Sequence, residues 1–469
     1  MSRLASPKGT FRITSEIAGI EPFFKTFFLS FHRHTFTCVD DHQPLNPMSN
    51  NSLPRKSKPK ANIVIVDHRN IVGIDIGKRK HAATAVTPKG AVIASLNAFE
   101  NNKAGVDLLE RQVLVPATGR SKPMIALEAT GMYWCALHDE LQRRGYDCVA
   151  LNPIQTNVRG LKKIRRTKTD RIDSETIART VLAGDAQSTI VPEEPMYELR
   201  LLVRHRWRLI RSQNTILLYA ISLVDRVFPE SEGIFSKPFL KSIRTLIREI
   251  GFTPNVLYKN KINVREVLEK ASRKRLTPET INDLLQRAKD SIGTRQGERV
   301  VNDQLRMIVD YLDFMDGQIE QINKELKCRM ELLKSPVMSI GIGPEIAATI
   351  LAESGAVERF AGPREYAAFC GLDPSVRDSG DSIRGVSHIS KRGSPLLRWA
   401  FYTAAIAVYK KHRDFAKVYA RQTKQQPKGR RQKGHCYALI AVAHKVARVV
   451  WRLMKDGRKF SKNPPKREN

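Results

Sequence analysis

Four carboxylates stand where a fold could gather them. Asp75 lies in Gly73-Ile-Asp-Ile-Gly77, Glu128 in Ala126-Leu-Glu-Ala-Thr-Gly131, and Asp170 and Asp173 in Lys168-Thr-Asp-Arg-Ile-Asp-Ser-Glu175. Residues three apart on a helix share one face, so Asp170 and Asp173 can act together. Two carboxylates from strand ends and two from one helical turn can surround a pair of divalent ions. An oxygen-only ligand set suits Mg2+ or Mn2+. Two such ions about 4 Å apart clamp the attacking and leaving oxygens of a phosphodiester displacement. Each acid alone also has an ordinary reading, as a turn cap or as a helix N-terminal charge favoured by the dipole. The combination is more specific, because all four fall at element ends in a strongly basic chain.

The elements that must position them are short and regular. Ile71-Val-Gly-Ile-Asp75 predicts a strand, His81 to Val86 a second, Thr87-Pro-Lys-Gly90 a turn, and Ala91 to Ser95 the start of a third. Gly105 to Leu114 has helical spacing, and Met124 to Glu128 is a strand again. Tyr133 to Arg144 predicts an amphipathic helix stopped by Gly145, Asp147 to Leu151 one more strand, and Pro153 the opening of a further helix. Three strands with tight turns, then alternating helix and strand, predict a mixed α/β sheet. The flanking glycines Gly73 and Gly77 let backbone or phosphate come close to Asp75. The basic stretch between the acids, with Lys162, Lys163, Arg165, Arg166 and Lys168, supplies cations for nucleic-acid phosphates.

These three segments, Lys168-Thr-Asp-Arg-Ile-Asp-Ser-Glu-Thr-Ile-Ala178 above all, resemble the DEDD transposases of bacterial insertion sequences (insertion-sequence family 110/1111). The resemblance runs from about Ile71 to Trp451. It implies an N-terminal domain with the fold of the Holliday-junction resolvase RuvC, related to ribonuclease H. It also implies that Asp75, Glu128, Asp170 and Asp173 are both catalytic and metal-binding. Further implications are DNA cleavage and rejoining in the bacterial cytosol, and a non-coding bridge RNA that guides the choice of DNA.

The C-terminal part offers a second set of residues. Met338-Ser-Ile-Gly-Ile-Gly-Pro-Glu-Ile-Ala347 reads as a helix-hairpin-helix turn in which Gly341 and Gly343 leave N–H groups free for phosphate, or as a structural helix turn. Polar, glycine-rich sequence follows from Gly371 to Gly380, and Lys391, Arg392 and Arg398 flank it as a phosphate cradle. A serine in such a loop carries no signal by itself. The resemblance implies a catalytic serine in this domain and points to Ser379 in Asp378-Ser-Gly380, with Ser375, Ser382, Ser387 and Ser390 close by. A serine hydroxyl needs activation at neutral pH. The acids and the serine lie far apart in sequence, so folding or a homo-oligomer, dimer or tetramer, must bring them together.

Charge supports a polyanionic partner. The 469 residues carry 80 Lys and Arg against 47 Asp and Glu, a formal net charge of +33. Such an excess opposes compactness unless it meets a polyanion, with nucleic acid, DNA first and a guide RNA second, ahead of an acidic membrane surface. The basic segment Lys424 to Lys433 could serve either nucleic acid. The six cysteines are scattered without a CxxC pair, which excludes a zinc ribbon or disulfide framework and fits a reducing cytosol. No apolar run is long enough to span a bilayer. Ala438 to Trp451 reads as a buried helix with a basic face.

Five regions are expected: a basic, disordered extension over 1–69, a catalytic α/β domain over 70–193, and a helical region over 194–334. An all-α domain over 335–457 and a basic, disordered tail over 458–469 complete the chain. Met48 precedes the basic run ending at Lys60 and is a candidate start. Apolar spacing from Leu305 to Leu326 is close to a heptad seam, packed on its own domain or coiled with another copy. Two other function classes stay open. A structure-selective nuclease would use the same acids with water as nucleophile and form no covalent adduct. A non-catalytic nucleic-acid-binding protein would keep its function without the acids.

Overall fold

Alternation along two short strands explains how the sheet is covered. In the computed structural model, β1 (Ile71–Ile76) and β4 (Met124–Glu128) are buried on both faces, as the central strands of a covered sheet must be. Val72, Ile74 and Ile76 of β1, with Ile125 and Leu127 of β4, face one core. Ile71, Met124 and Ala126 face the other. Helix α1 (Lys103–Leu109) with the π-turn Glu110–Leu114, and α2 (Trp134–Arg143), cover the first face. Helix α3 (Asp170–Leu182) covers the second with Ile177, Ala178 and Val181. The structure describes residues 68–129, 131–151, 169–184, 186, 188–189, 195–235, 237, 239–273, 275–374, 389, 393–424 and 431–461, the last without the side chains of 431–433.

The sheet has six strands in the order β3-β2-β1-β4-β5-β6. Strands β2 (Lys80–Val86) and β3 (Val92–Glu100) join β1 as an antiparallel meander. Strands β1, β4 and β5 (Asp147–Leu151) run parallel, and the two-residue β6 (Ser188–Thr189) closes the edge antiparallel. The expected mixed α/β sheet is therefore present, with β3 longer than its sequence signal. The expected Pro153 helix falls outside the described residues.

The rest is helical. Helices α4 (Met196–Val227) and α9 (Glu298–Leu333) form a long antiparallel pair. Arg329 meets Glu198, Arg206 Nε donates to Asn323 at 2.6 Å and Gln213 donates to Asp316 at 2.6 Å. The heptad-like seam of α9 thus packs within the chain. One end of the pair builds a core with α5 (Lys241–Glu249), α6 (Pro254–Lys259), α7 (Lys261–Ser272) and α8 (Pro278–Lys289) around Val227, Leu246, Leu268, Leu284 and Leu305.

The other end enters the C-terminal core. Leu199 and Val203 of α4 and Leu326 and Met330 of α9 join α10 (Pro344–Ser354), α11 (Pro363–Phe369), α12 (Pro395–Val408), α13 (Arg413–Lys424) and α14 (Arg431–Asp456). The buried helix expected from Ala438 to Trp451 is α14. The tail expected from 458 begins docked: Phe460 stacks on Phe415, and its N–H donates to Ser339 Oγ at 2.7 Å. Residues 1–67 and 462–469 lie outside the described residues. No described helix is long and apolar enough to cross a membrane.

Candidate functional site

Strand register places two of the acids. Gly73 pairs with Ala126 and Ile74 with Leu127, so Asp75 and Glu128 follow side by side at the same end of adjacent parallel strands. Side chains alternate along a strand. Asp75 therefore shares a face with Ile71 and Gly73, and Glu128 with Met124 and Ala126, the face that α3 covers.

Close approach places the other two. A Cβ at Gly73 would sit 2.1 Å from the Ser174 carbonyl oxygen and 2.6 Å from the Ala178 nitrogen, so only glycine lets α3 cross β1 there. The buried Thr84 and Ser174 hydroxyls share a hydrogen bond of 2.8 Å that ties α3 to β2 as well. Thr169 caps α3, with its Oγ1 accepting from the Ile172 N–H. Asp170 and Asp173 fill the first turn, beside the strand ends.

The electrostatics show that the four acids share one field. The Asp75 carboxyl is pushed up to about 6, first by burial, then by the charges of Asp173, Glu128 and Asp170. A hydrogen bond from the Ile76 N–H offsets part of this. Among the described residues, no three His, Cys, Asp or Glu side chains stand close enough to hold an ion as they are placed. The acids share a field rather than a common coordination point. Their donor set is carboxylate throughout, which fits a hard divalent cation that would relieve the repulsion.

Sequence reasoning passed over His81 as an ordinary strand residue. It is buried, and its Nδ1 accepts from the Gly77 N–H at 3.3 Å, which leaves the proton on Nε2. Burial holds its pKa below the usual histidine value. It thereby anchors the turn that follows Asp75. Only the Gly73-to-Gly77 spacing hinted at so tight a turn.

The second set of residues is described at its margins. Ser379 and its neighbours Ser375, Ser382, Ser387 and Ser390, with Lys391 and Arg392, lie outside the described residues, as do Lys162, Lys163, Arg165, Arg166 and Lys168. The residues that flank this segment are described. Pro374 and Ile389 form an antiparallel bridge. A Cβ at Gly393 would meet the Phe369 carbonyl oxygen at 2.0 Å and the Gly371 nitrogen at 2.7 Å. The backbones at Phe369–Gly371 and at Gly393 therefore touch. Arg398 donates from Nη1 to the Gly393 carbonyl at 2.8 Å, so this expected phosphate ligand also braces the backbone at Gly393.

The turn at Gly341 and Gly343 differs from its expected form. Gly341 has φ +91, and its N–H donates to the Met338 carbonyl rather than pointing free. Pro344 at the first helical position has no N–H, and Glu345 occupies the first turn of α10. The turn's outward carbonyls are met by cationic or polar groups: Lys411 Nζ donates to Gly341 O at 2.9 Å, and His412 Nε2 lies 2.8 Å from Ile340 O.

Two family models match the chain, one over each region. A transposase model, the DEDD domain of the IS110 group, matches residues 72–229. A model described as transposase IS116/IS110/IS902 family matches 335–420. Together they span just over half of the chain. An uncharacterized 44.8 kDa protein of insertion element IS116 from Streptomyces clavuligerus is 25% identical, covering 84% of this chain and 96% of its own. A putative transposase, y4rJ, from Sinorhizobium fredii is 23% identical over 82% of this chain and 92% of its own. An uncharacterized 43.6 kDa protein of insertion element IS110 from Streptomyces coelicolor is 23% identical over 84% and 96%.

Proposed function

The chain belongs to the IS116/IS110/IS902 family of transposases, and from that premise we propose that it cuts and rejoins DNA with Ser379 as nucleophile beside a four-carboxylate metal site. One observation carries the reading: acids from three separate segments converge until Asp75 feels the charge of the other three. The sheet order, an antiparallel meander followed by parallel strands, supports a RuvC and ribonuclease H-like domain.

Asp75, Glu128, Asp170 and Asp173 would hold Mg2+ or Mn2+. Bound there, the cation supplies Lewis-acid stabilisation of charge on the phosphoryl oxygens. The protein's own part is positioning. The Ser379 Oγ attacks phosphorus, its proton leaves to solvent or a base, and the bond to the leaving DNA oxygen breaks as that oxygen takes up a proton. Rejoining is the reverse with a new strand end: a DNA hydroxyl attacks the phosphoserine and releases the serine. One phosphodiester replaces another, so no external energy source is needed.

The acids lie on the sheet face covered by one hydrophobic core, and Leu372 and Leu397, either side of the segment with Ser379, belong to another. The site is completed when those cores meet, within one chain or between protomers of a dimer or tetramer. The net charge of +33 suits two nucleic acids, the DNA and a bridge RNA. Lys162, Lys163, Arg165, Arg166, Lys168, Gly343, Lys391, Arg392 and Arg398 are the proposed nucleic-acid-binding residues.

The test is strand cleavage by Asp173→Asn and Ser379→Ala. Both variants should lose cleavage and keep DNA binding, and wild type should lose cleavage in EDTA and regain it with Mg2+ or Mn2+. Cleavage by Ser379→Ala together with inactivity of Asp173→Asn would instead assign attack to water. Full turnover in EDTA would remove the metal.

A further inference from the structure

Three arginines gather where the long helical pair enters the C-terminal core, and the proposed chemistry uses none of them. Arg200 and Arg204 lie one turn apart on α4. Arg359 follows α10, in the short turn Val357–Arg359. Beside them stands Glu353, 4% exposed in the last turn of α10.

The carboxylate is shared unequally. Arg204 forks onto it, Nε to Oε1 at 2.7 Å and Nη2 to Oε2 at 3.2 Å. The Ser394 hydroxyl lies 3.5 Å from Oε2. Arg200 brings its Nε to 3.8 Å, beyond hydrogen-bond reach. Arg359 turns to backbone and rings instead. Its Nη2 donates to the Ser354 carbonyl at 2.7 Å, and its guanidinium carbon lies 4.5 Å and 4.4 Å from the centres of the Phe360 and Phe369 rings. The buried Nε atoms of Arg200 and Arg359 have no hydrogen-bond partner among the described residues.

A buried carboxylate needs one well-placed cation, and Arg204 is that cation. The other two guanidinium groups bring positive charge into a half-buried place, which costs hydration and sets like charges together. Burial lowers the pKa of Arg200, and Arg204 adds to the effect while Glu353 opposes it. Burial, then the charge of Arg200, lowers that of Arg359. A bound anion would offset this excess. A guanidinium is planar and weakly hydrated, and its fork matches two phosphate oxygens at once. The side chains of Arg204 and Arg200 remain 43% and 24% exposed, so an anion from solvent can reach both. DNA is the polyanion that membership of a transposase family supplies.

We propose that Arg200, Arg204 and Arg359 form a phosphate site that takes a DNA phosphodiester where α4 meets the C-terminal core. The proposal rests on the chain being a DNA-binding transposase, and it is independent of which group attacks the DNA.

The test measures binding of the full chain to a short duplex DNA by fluorescence anisotropy over a salt series, with the melting temperature of the free protein read alongside. Arg200→Gln removes a cation that makes no hydrogen bond to Glu353 and leaves the Arg204–Glu353 pair intact. Its DNA affinity should fall about tenfold at low salt, and the slope of log K against log salt should become shallower by about 0.9. Its melting temperature should stay level or rise, because like charges are relieved. Arg200→Lys keeps the charge and should keep the wild-type slope. Lys289→Gln, which removes an exposed cation from the other helical core, should bind within about twofold of wild type. Unchanged affinity and slope in Arg200→Gln, or an equal loss in Lys289→Gln, would overturn the site. A lower melting temperature together with weaker binding would make Arg200 a structural cation and overturn it as well. The same holds if Arg200→Gln loses affinity for single-stranded RNA alone. If the wild type itself shows no salt-dependent DNA binding, the DNA-binding reading falls; if only the variant result fails, the phosphate site falls alone.

Discussion

Two glycines at equally close backbone approaches do different work in the two halves of the molecule. At Gly73, helix α3 presses on a strand inside a six-stranded sheet, and the close approach delivers Asp170 and Asp173 to the strand ends. At Gly393, two chain segments touch, held by the Pro374–Ile389 bridge and Arg398. The acids are thus set by regular secondary structure, where register and side-chain alternation leave little freedom. The backbone around Gly393 is set by a few local interactions. The half that carries the four acids is held by regular secondary structure, and the half around Gly393 by single contacts.

The largest effect should come from the acids themselves. Asp75→Asn or Asp173→Asn should lower cleavage on the order of 10³-fold, since a catalytic metal contributes several kcal/mol. DNA affinity should stay within about twofold, because the basic surface is untouched. Near-normal cleavage in Mg2+ by either variant would remove that residue from the site.

The two glycines sharpen the comparison. Gly73→Ala should destabilise the fold by about 1–3 kcal/mol, the usual cost of forcing atoms into packed space, and should weaken Mg2+ binding. Gly393→Ala should impair cleavage comparably while leaving Mg2+ binding unchanged. Titration calorimetry with Mg2+ on both variants checks this, and loss of Mg2+ binding in Gly393→Ala would break the division of labour.

A smaller effect has a distinctive sign. Asp75 is raised to about 6 in the folded protein from an ordinary 3.8, so its ionised form is disfavoured on folding. The folded state holds that proton more tightly, and this group's effect on stability becomes less favourable as pH rises from about 4 to about 6. Asp75→Asn should therefore melt higher than wild type at pH 7 without divalent cation, with the advantage vanishing below pH 4. Adding Mg2+ should raise the melting temperature of wild type only. A lower melting temperature for Asp75→Asn at pH 7 would contradict the crowding of charge.

The smallest effect per residue belongs to the basic stretch. Charge reversal at Lys162, Lys163, Arg165 and Arg166 should weaken binding to all DNA sequences alike. The slope of log K against log salt should become shallower by about 0.9 for each phosphate that the protein no longer neutralises. An unchanged slope would place the nucleic acid elsewhere.

Much of the acid site was legible in the sequence, because its strands are short apolar runs bounded by turn residues. Residues 71–75, 124–128 and 147–151 read as strands and are β1, β4 and β5 with at most one residue of difference. The two-residue β6 was not legible, since it exists only by pairing with β5. The apolar seam of α9 was visible, but periodicity does not say which helix fills it, and α4 of the same chain does. The four helices between them read only as helix-rich sequence, without their own core. His81 escaped notice because a lone histidine in a strand carries no signal, and only tertiary structure gives it a role. At Gly341 the motif read as a free N–H, while a local turn uses that group first.

The most direct test of the central claim is the site of covalent attachment. Wild-type protein incubated with Mg2+ and a DNA substrate, then denatured, should retain DNA on one peptide containing Asp378-Ser-Gly380, and Ser379→Ala should retain none. An adduct that persists in Ser379→Ala, or cleaved ends free of protein in the wild type, would contradict a nucleophilic Ser379 beside the four acids.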